Sequence, residues 1–262
     1  MKNILKKICN DKKKELEITK SKCSLNSLMK LLPEKKNKKF KDLIIESQKN
    51  KSNNIIAEIK KSSPSAGELI KDYHPENIAY QYEKSNAGSI SILTESNYFK
   101  GSIDHISLIR NVTNLPILRK DFIIDIYQIY ESKVYKADAI LLITTILNDK
   151  QIKEYINTAN ELGLDCIIET HSLEEINRAI KIGYPVIGIN NRNLDNLSIN
   201  INNTLNLIKN VPKEFNIIGE SGIKTYSDIK SYNQAGVYNF LIGETILKAN
   251  NIENKFKELL NK

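Results

Sequence analysis

Short apolar runs rich in Ile, Val and Leu recur along most of the chain, at residues 54–60, 88–94, 115–120, 138–144, 164–169, 185–190, 216–220 and 237–243. Most are bounded by Gly, Pro, Asn or Asp, the residues that favour turns. Between them lie stretches long enough for helices, at 75–85, 103–111, 126–135, 149–162, 172–182, 204–210, 226–234 and 245–259. This alternation signals βα units carrying a parallel sheet, and eight repeats predict a closed (β/α)8 barrel, an α/β fold. In such barrels the chemistry collects at the carboxyl ends of the strands. Lys60, Lys120, Glu169, Asn190 and Ser221 all stand at or just past those ends.

A leader precedes the first strand. Residues 3–18 place Ile4, Leu5, Ile8, Leu16 and Ile18 among lysines and read as an amphipathic helix. A second helix is expected over 25–32, stopped by Pro33, and a third over 34–48 with Phe40, Leu43 and Ile44 on one stripe. With no strand partner, the leader is expected to pack against one mouth of the barrel. Removing residues 1–51 should then impair substrate handling more than folding. The 262-residue length matches one barrel domain, with 1–51 as a helical extension and 52–262 as the barrel. Two polar loops stand out. Residues 61–67 are too broken by Pro and Gly for regular structure, and 95–101 carry the aromatics Tyr98 and Phe99.

Charge changes this picture only in the leader. Residues 1–51 hold 16 lysines, no arginine and six carboxylates, so they carry +10 and the remainder −2 of the formal +8. A basic patch can bind nucleic acid or gather an anionic substrate; it is also what a Lys- and Asn-rich chain puts on solvated helix faces. Three scattered cysteines, without a CxxC pair, argue against a disulfide framework or zinc, and three distant histidines against a His-rich metal site. There is no apolar stretch of membrane-spanning length and no signal-like start. A cytoplasmic location follows as the expectation.

Glu58 and Lys60 are two apart, so both face the same side of a strand, opposite Ile55, Ala57 and Ile59. Burying such a pair in a barrel is costly unless it serves a function. Lys120 closes the third strand, and two lysines at one mouth can bind an anion. One can also have its pKa depressed by the other's charge and so donate a proton near neutrality. Glu169 closes the fifth strand and offers a base; helix capping is already supplied by Ser172 and Glu175. The turns Gly219–Ser221–Gly222 and Gly243–Glu244 follow strands seven and eight, the usual phosphate cradle of barrel enzymes. Neither GxGxxG nor GxxxxGK[ST] occurs, which disfavours dinucleotide and nucleoside-triphosphate sites.

The segments IIAEIKKSSPSAGEL, SILTESNYFKGS, PILRKDFIIDIYQIYES, VIGINNRNL, IIGESGI and LIGETIL together resemble the indole-3-glycerol-phosphate synthase family over essentially the whole chain. That resemblance implies a barrel with an N-terminal helical extension and no metal or organic cofactor. The implied substrate is 1-(2-carboxyphenylamino)-1-deoxyribulose 5-phosphate. The implied products are indole-3-glycerol phosphate, carbon dioxide and water. Lys120 resembles the general acid of ring closure, Lys60 the lysine that engages the anthranilate carboxylate, and Glu169 the base of dehydration. Glu58 would orient Lys60, while Asn190 and Glu220 would hold substrate hydroxyls or developing charge beside Arg192. Ser63, Ser221, Gly222, Gly243 and Glu244 would bind phosphate, and Phe99, Phe122 and Leu142 would line the aromatic slot. Glu244 departs from the small residue often found there. The chain ends soon after the eighth helix and is expected to be monofunctional.

Other classes fit less well. The pathway's barrel isomerase would need a Cys and an Asp at strand ends, but Cys9 and Cys23 lie in the leader and Cys166 is within a strand. A nucleic-acid module predicts arginines and aromatics among the leader's lysines, and Phe40 alone is there. A catalytically silent barrel is opposed by the set of lysines and carboxylates. The expected partner is a phosphorylated small molecule, not nucleic acid or a membrane, met by a monomer or weak homodimer.

Overall fold

Eight parallel strands close on themselves in the order β1-β8-β7-β6-β5-β4-β3-β2. They are β1 (Asn54–Ile59), β2 (Ser89–Leu93), β3 (Ile117–Lys120), β4 (Ala139–Ile143), β5 (Asp165–Thr170), β6 (Val186–Asn190), β7 (Asn216–Glu220) and β8 (Asn239–Ile242). This computed structural model describes residues 3–34, 40–193 and 197–262. All eight predicted strands are present, within two residues at each end. Helices run between them: α4 (Pro75–Lys84), α5 (Asp104–Arg110), α6 (Ile126–Val134), α7 (Asp149–Leu162), α8 (Leu173–Ile182), α9 (Asn202–Leu207) and α10 (Tyr226–Gln234). Nearly every strand residue is buried, because side chains meet either the barrel interior or the helix layer.

Local chemistry explains the helix limits. Asp125 and Asn148 close capping boxes with Gln128 and Gln151 at the starts of α6 and α7. Gly163 and Gly183 end α7 and α8 in the left-handed conformation that glycine adopts without strain. Two expectations change. The single helix expected over 245–259 is two, α11 (Glu244–Leu247) and α12 (Ile252–Leu260), because the Asn251 side chain accepts from Asn254 N–H and starts a new helix. The first loop carries a two-residue antiparallel ladder, Ser62–Ser63 with Gly67–Glu68.

The leader departs from expectation most. It comprises α1 (Asn3–Lys22), α2 (Leu25–Met29) and α3 (Phe40–Asn50). Residues 35–39, expected to begin the third helix, lie outside the described residues. Rather than packing at one mouth, the leader touches both ends of the barrel. Ile4, Leu5 and Ile8 of α1 face the carboxyl-end mouth, and Leu16 and Leu28 pack on Tyr127 of α6. At the opposite end α3 buries Phe40 and Ile44 completely. Asp165 accepts from Lys41 N–H at 2.9 Å, and Asn239 donates to the Ile44 carbonyl at 3.1 Å. Asn239 in turn accepts from Asn54 at 2.9 Å, tying α3 to the closing strand pair.

Candidate active site

Register decides which strand-end residues share the barrel interior. Neighbouring parallel strands place paired residues side by side, so their side chains point the same way. Asn190 pairs with Glu220, Leu93 with Lys120, Ile143 with Glu169, and Glu58 with Ser91. Glu58 thus looks inward from β1, Lys120 from β3, Glu169 from β5 and Glu220 from β7. Lys60 lies one step above Glu58.

These groups form one cluster. Lys120 Nζ is 3.0 Å from Glu220 Oε2, 3.4 Å from Glu169 Oε2 and 3.9 Å from Glu58 Oε2. Lys60 is paired with the other oxygen of Glu58. Above them opens a cavity of about 550 Å³. It is lined by Glu58, Lys60, Ser63, Lys120, Glu169, Asn190, Arg192, Ser221, Gly222, Gly243 and Glu244, with Phe99 and Phe122 forming an aromatic wall. The two phenyl rings lie 6.4 Å apart, tilted by 41°. The strand ends thus bring together in one place Lys60, Lys120 and Glu169.

Burial opposes charge at every group in the cluster, and the partners decide the outcome. For Lys120, burial alone would lower the pKa, yet Glu220, Glu169 and Glu58 together raise it well above the usual lysine value. The expected depression by a second lysine is therefore overturned, because three carboxylates stand closer. Burial would raise Glu169, but Lys120 and then His171 hold it well below the usual carboxylate range. Glu58 is lowered likewise, with Lys60 and then Lys120 outweighing burial. Glu220 goes the other way: burial, with Glu169 adding repulsion, outweighs Lys120 and raises it. Two carboxylates beside one ammonium cannot both ionise easily, and Glu220 is the one that keeps its proton longer.

Two residues fall differently from expectation, and a third is accommodated. Leu142 faces the helix layer; its neighbours Leu141 and Ile143 share the inward parity of Glu169 and line the cavity instead. Glu220 is fully buried beneath the cavity and reaches it through Lys120, so it is not placed to grip a substrate hydroxyl directly. Glu244, the departure noted above, pairs with Lys248 at 2.5 Å, which offsets its charge at the rim.

Two turns at the rim depart from ordinary backbone. Ser221 and Gly222 both adopt left-handed φ, 65° and 86°. A non-glycine residue held there is uncommon and clusters at functional sites. Gly243 precedes α11, leaving backbone N–H groups at the turn unpaired within the helix. Across the mouth, Arg192 donates to Ser65 Oγ at 2.9 Å and Leu197 O at 3.1 Å, and its N–H donates to Asn190 Oδ1 at 3.0 Å. Leu194, the last residue of the INNRNL motif, lies outside the described residues.

Sequence reasoning missed the α1 wall of Ile4, Leu5 and Ile8, and it missed His171 as a neighbour of Glu169. Helical periodicity marked the α1 residues as apolar without saying what they cover. His171 is two residues from Glu169, so strand alternation was a signal for it.

A parallel barrel with lysines and carboxylates converging at its carboxyl-end mouth, beside glycine-bearing turns after β7 and β8, has the architecture of a barrel enzyme. The indole-3-glycerol phosphate synthase family matches residues 5–259. An indole-3-glycerol phosphate synthase of Legionella pneumophila (strain Paris) is 41% identical over 260 residues, covering 99% of both chains. One from Acetivibrio thermocellus is 46% identical over 204 residues, 78% of each. The chain belongs to the indole-3-glycerol phosphate synthase family, decarboxylating lyases of tryptophan biosynthesis. Among solved structures, 3-hexulose-6-phosphate synthase from Salmonella typhimurium superposes with a TM-score of 0.63 at 14% identity, over 79% of this chain and 97% of that one. Thiamine phosphate pyrophosphorylase from Pyrococcus furiosus gives 0.59 at 15%, over 80% and 94%. These two share the fold alone.

Proposed function

We propose that the mouth binds 1-(2-carboxyphenylamino)-1-deoxyribulose 5-phosphate and closes its indole ring, with Lys120 as the proton donor. The observation that carries this reading is Lys120 at the centre of three carboxylates, with Lys60 on the far side of Glu58. That arrangement keeps Lys120 an ammonium near neutral pH, the state that a donor to a ketone oxygen requires. The ring carbon bearing the carboxylate attacks the ketone carbon as the oxygen takes the proton. Carbon dioxide then leaves, and its bonding electrons neutralise the cyclised iminium, so no electron-sink cofactor is called for. Loss of water follows: the new hydroxyl needs a proton, and the neighbouring carbon must give one up. Lys60, engaging the substrate carboxylate at first, supplies the former; Glu169, held ionised, takes the latter.

Glu58 holds Lys60, Glu220 holds Lys120, and Asn190 and Arg192 meet the sugar hydroxyls. Ser63, Ser221 and the backbone of Gly222, Gly243 and Glu244 receive the phosphate. Phe99, Phe122 and the apolar face of α1 cover the aromatic ring. We further propose that the chain works in the cytoplasm, as a monomer or weak homodimer. Among the described residues no helix is long and apolar enough to cross a membrane.

The test is incubation of the purified chain with that substrate, following indole fluorescence. Lys120→Ala should lower turnover by roughly 10²–10⁴-fold with circular dichroism unchanged. A variant that kept near wild-type indole formation would overturn the assignment of Lys120.

A further inference from the structure

His171 does not line the cavity, yet it touches one of its carboxylates. Its Nε2 lies 3.2 Å from Glu169 Oε1, in ion-pair range though not aligned as a hydrogen bond. Its Nδ1 lies 3.3 Å from Glu175 Oε2. Glu175 is itself fixed: Oε2 accepts from the His171 backbone N–H at 2.7 Å, and Oε1 accepts from Thr145 Oγ1 at 2.7 Å. The ring is therefore clamped between α8 and β5, with its side chain 12% exposed.

A capping role does not account for the ring. Ser172 caps α8 by accepting from Glu175 N–H, and Glu175 turns back to the backbone of His171 without help from the imidazole. What the imidazole adds is a second cation on Glu169. Lys120 stands on Oε2 of that carboxylate and His171 on Oε1. The charge balance gives this weight. Glu58, Glu169 and Glu220 share the two ammonium groups of Lys60 and Lys120, with Arg192 acting on Glu58 at longer range, so the carboxylates outnumber the ammonium groups in contact with them and one is pushed toward holding a proton. Glu220 and Glu169 compete for it, and His171 touches only the second of them.

We propose that His171, as an imidazolium clamped between Glu175 and Glu169, is a positioning residue that keeps Glu169 ionised and aimed for proton abstraction, leaving the shared proton on Glu220. The inference rests on the reading of Glu169 as the base. Burial would lower the ring's pKa, but Glu169 and Glu175 raise it to about 9 from 6.5. From the other elements around it, Thr145 offers a hydroxyl 3.4 Å from Nδ1, and Lys120 of β3 stands beyond Glu169. Arg178 of α8 is turned away, toward Asp149 and the carbonyls of Thr144 and Leu147. The pKa is raised on folding, so the stability this clamp contributes is fully present below about pH 6.5, and the clamp itself is lost as pH rises through about 9.

The first test is imidazole NMR on the full chain, which has three histidines, with His171→Gln identifying the resonance. Wild-type His171 should titrate near pH 9. Glu175→Gln should move that midpoint down by about one pH unit or more, as the loss of an adjacent carboxylate requires. The second test is the pH profile of kcat. His171→Gln should lower kcat by about tenfold and move the acid limb up by about one pH unit, since the coupled Glu169–Glu220 pair that sets this limb takes up its proton more readily without the neighbouring cation. KM should stay within about twofold, because the ring does not meet substrate. His171→Lys, which keeps a cation, should restore the acid limb. A midpoint at or below the ordinary histidine value, or an unmoved acid limb in His171→Gln, would overturn the proposal. Should His171→Gln not fold, the Glu175→Gln titration and acid limb decide it in the same way. Failure of the base assignment itself reads out separately, as turnover retained in Glu169→Gln while the wild-type imidazole titrates near 9.

Discussion

Two missing methyl groups set where the carboxylates of Glu58 and Glu220 can lie. A Cβ built on Gly243 would sit 2.3 Å from Glu58 Oε1, and one on Gly188 would sit 2.2 Å from Glu220 Oε1 and 3.1 Å from Ile167 Cγ2. Neither glycine has a left-handed φ, so conformational freedom does not explain them. Close approach does. Gly243, read from sequence as a phosphate-binding turn, is also the position that lets Glu58 reach Lys60. In Gly188→Ala the Glu220 carboxylate must swing away, taking with it the closest partner of Lys120. Overpacking of this kind costs about 1–3 kcal/mol of stability. Displacement of a catalytic group by about 1 Å can cost about 10²-fold in rate. Gly188→Ala is therefore expected to lose turnover by about 10²-fold with a melting temperature lowered by only a few degrees; steady-state kinetics beside calorimetry would separate the two. A variant that melts much lower and turns over normally would show Gly188 to serve packing alone.

At the scale of elements, α1 is held to the mouth by a buried cation as well as by apolar side chains. Lys12 is 3% exposed and lies 3.3 Å from Asp121 Oδ1 and 3.0 Å from Glu15 Oε2. Tyr98 of the second loop donates to Asp11 of the same helix at 2.7 Å. Asp121 Oδ1 also accepts from Phe122 N–H at 2.8 Å, so Lys12 bears on the segment carrying both Lys120 and an aromatic wall residue. In Lys12→Met the stem volume is kept and the charge removed. Asp121 retains Arg119 at 3.1 Å and the Thr94 hydroxyl at 2.7 Å, so the cost stays below the roughly 3–5 kcal/mol of a stranded buried charge. KM should rise several-fold with kcat largely kept, and amide exchange should quicken in α1 while the barrel strands stay protected. Unchanged exchange in α1 would mean the helix is held by other contacts. How much of this was legible varies with the distance over which the information lies. The strands were, since a buried parallel strand is a local run of Ile, Val and Leu between turn residues. Lys60, Lys120 and Glu169 were, since strand ends define the mouth. Leu142 was misplaced because its parity is fixed by pairing with Ile168, beside Glu169, on the next strand. The Lys12–Asp121 pair joins positions 109 apart, and neither residue's local pattern announces the other.

The whole molecule is a barrel closed at both ends by one leader, and the two closures do different work. At the carboxyl-end mouth α1 covers the site through Ile4, Leu5 and Ile8, while Leu16 of α1 and Leu28 of α2 pack against Tyr127 of α6. At the other end α3 is part of the core: Phe40 and Ile44 are fully buried, and Asp165 and Asn239 spend hydrogen bonds on its backbone. The sequence-based expectation that removing 1–51 spares folding treats these as one unit, and the geometry separates them. Burying two such side chains contributes about 3–6 kcal/mol. Each lost hydrogen bond adds about 1 kcal/mol. Set against a typical net stability of about 5–15 kcal/mol, loss of α3 removes a large share of what holds the barrel folded. A chain lacking residues 1–30 is therefore expected to stay folded, melt within a few degrees of the full chain and show a raised KM. A chain lacking residues 1–51 is expected to melt far lower or to collect as aggregate, before any question of substrate arises. Scanning calorimetry on the pair, with kinetics on whichever remains folded, distinguishes a leader with two functions from a single lid. If both truncations melted together, α3 would not be the floor of this barrel, and the burial of Phe40 and Ile44 would be worth far less than their contacts imply.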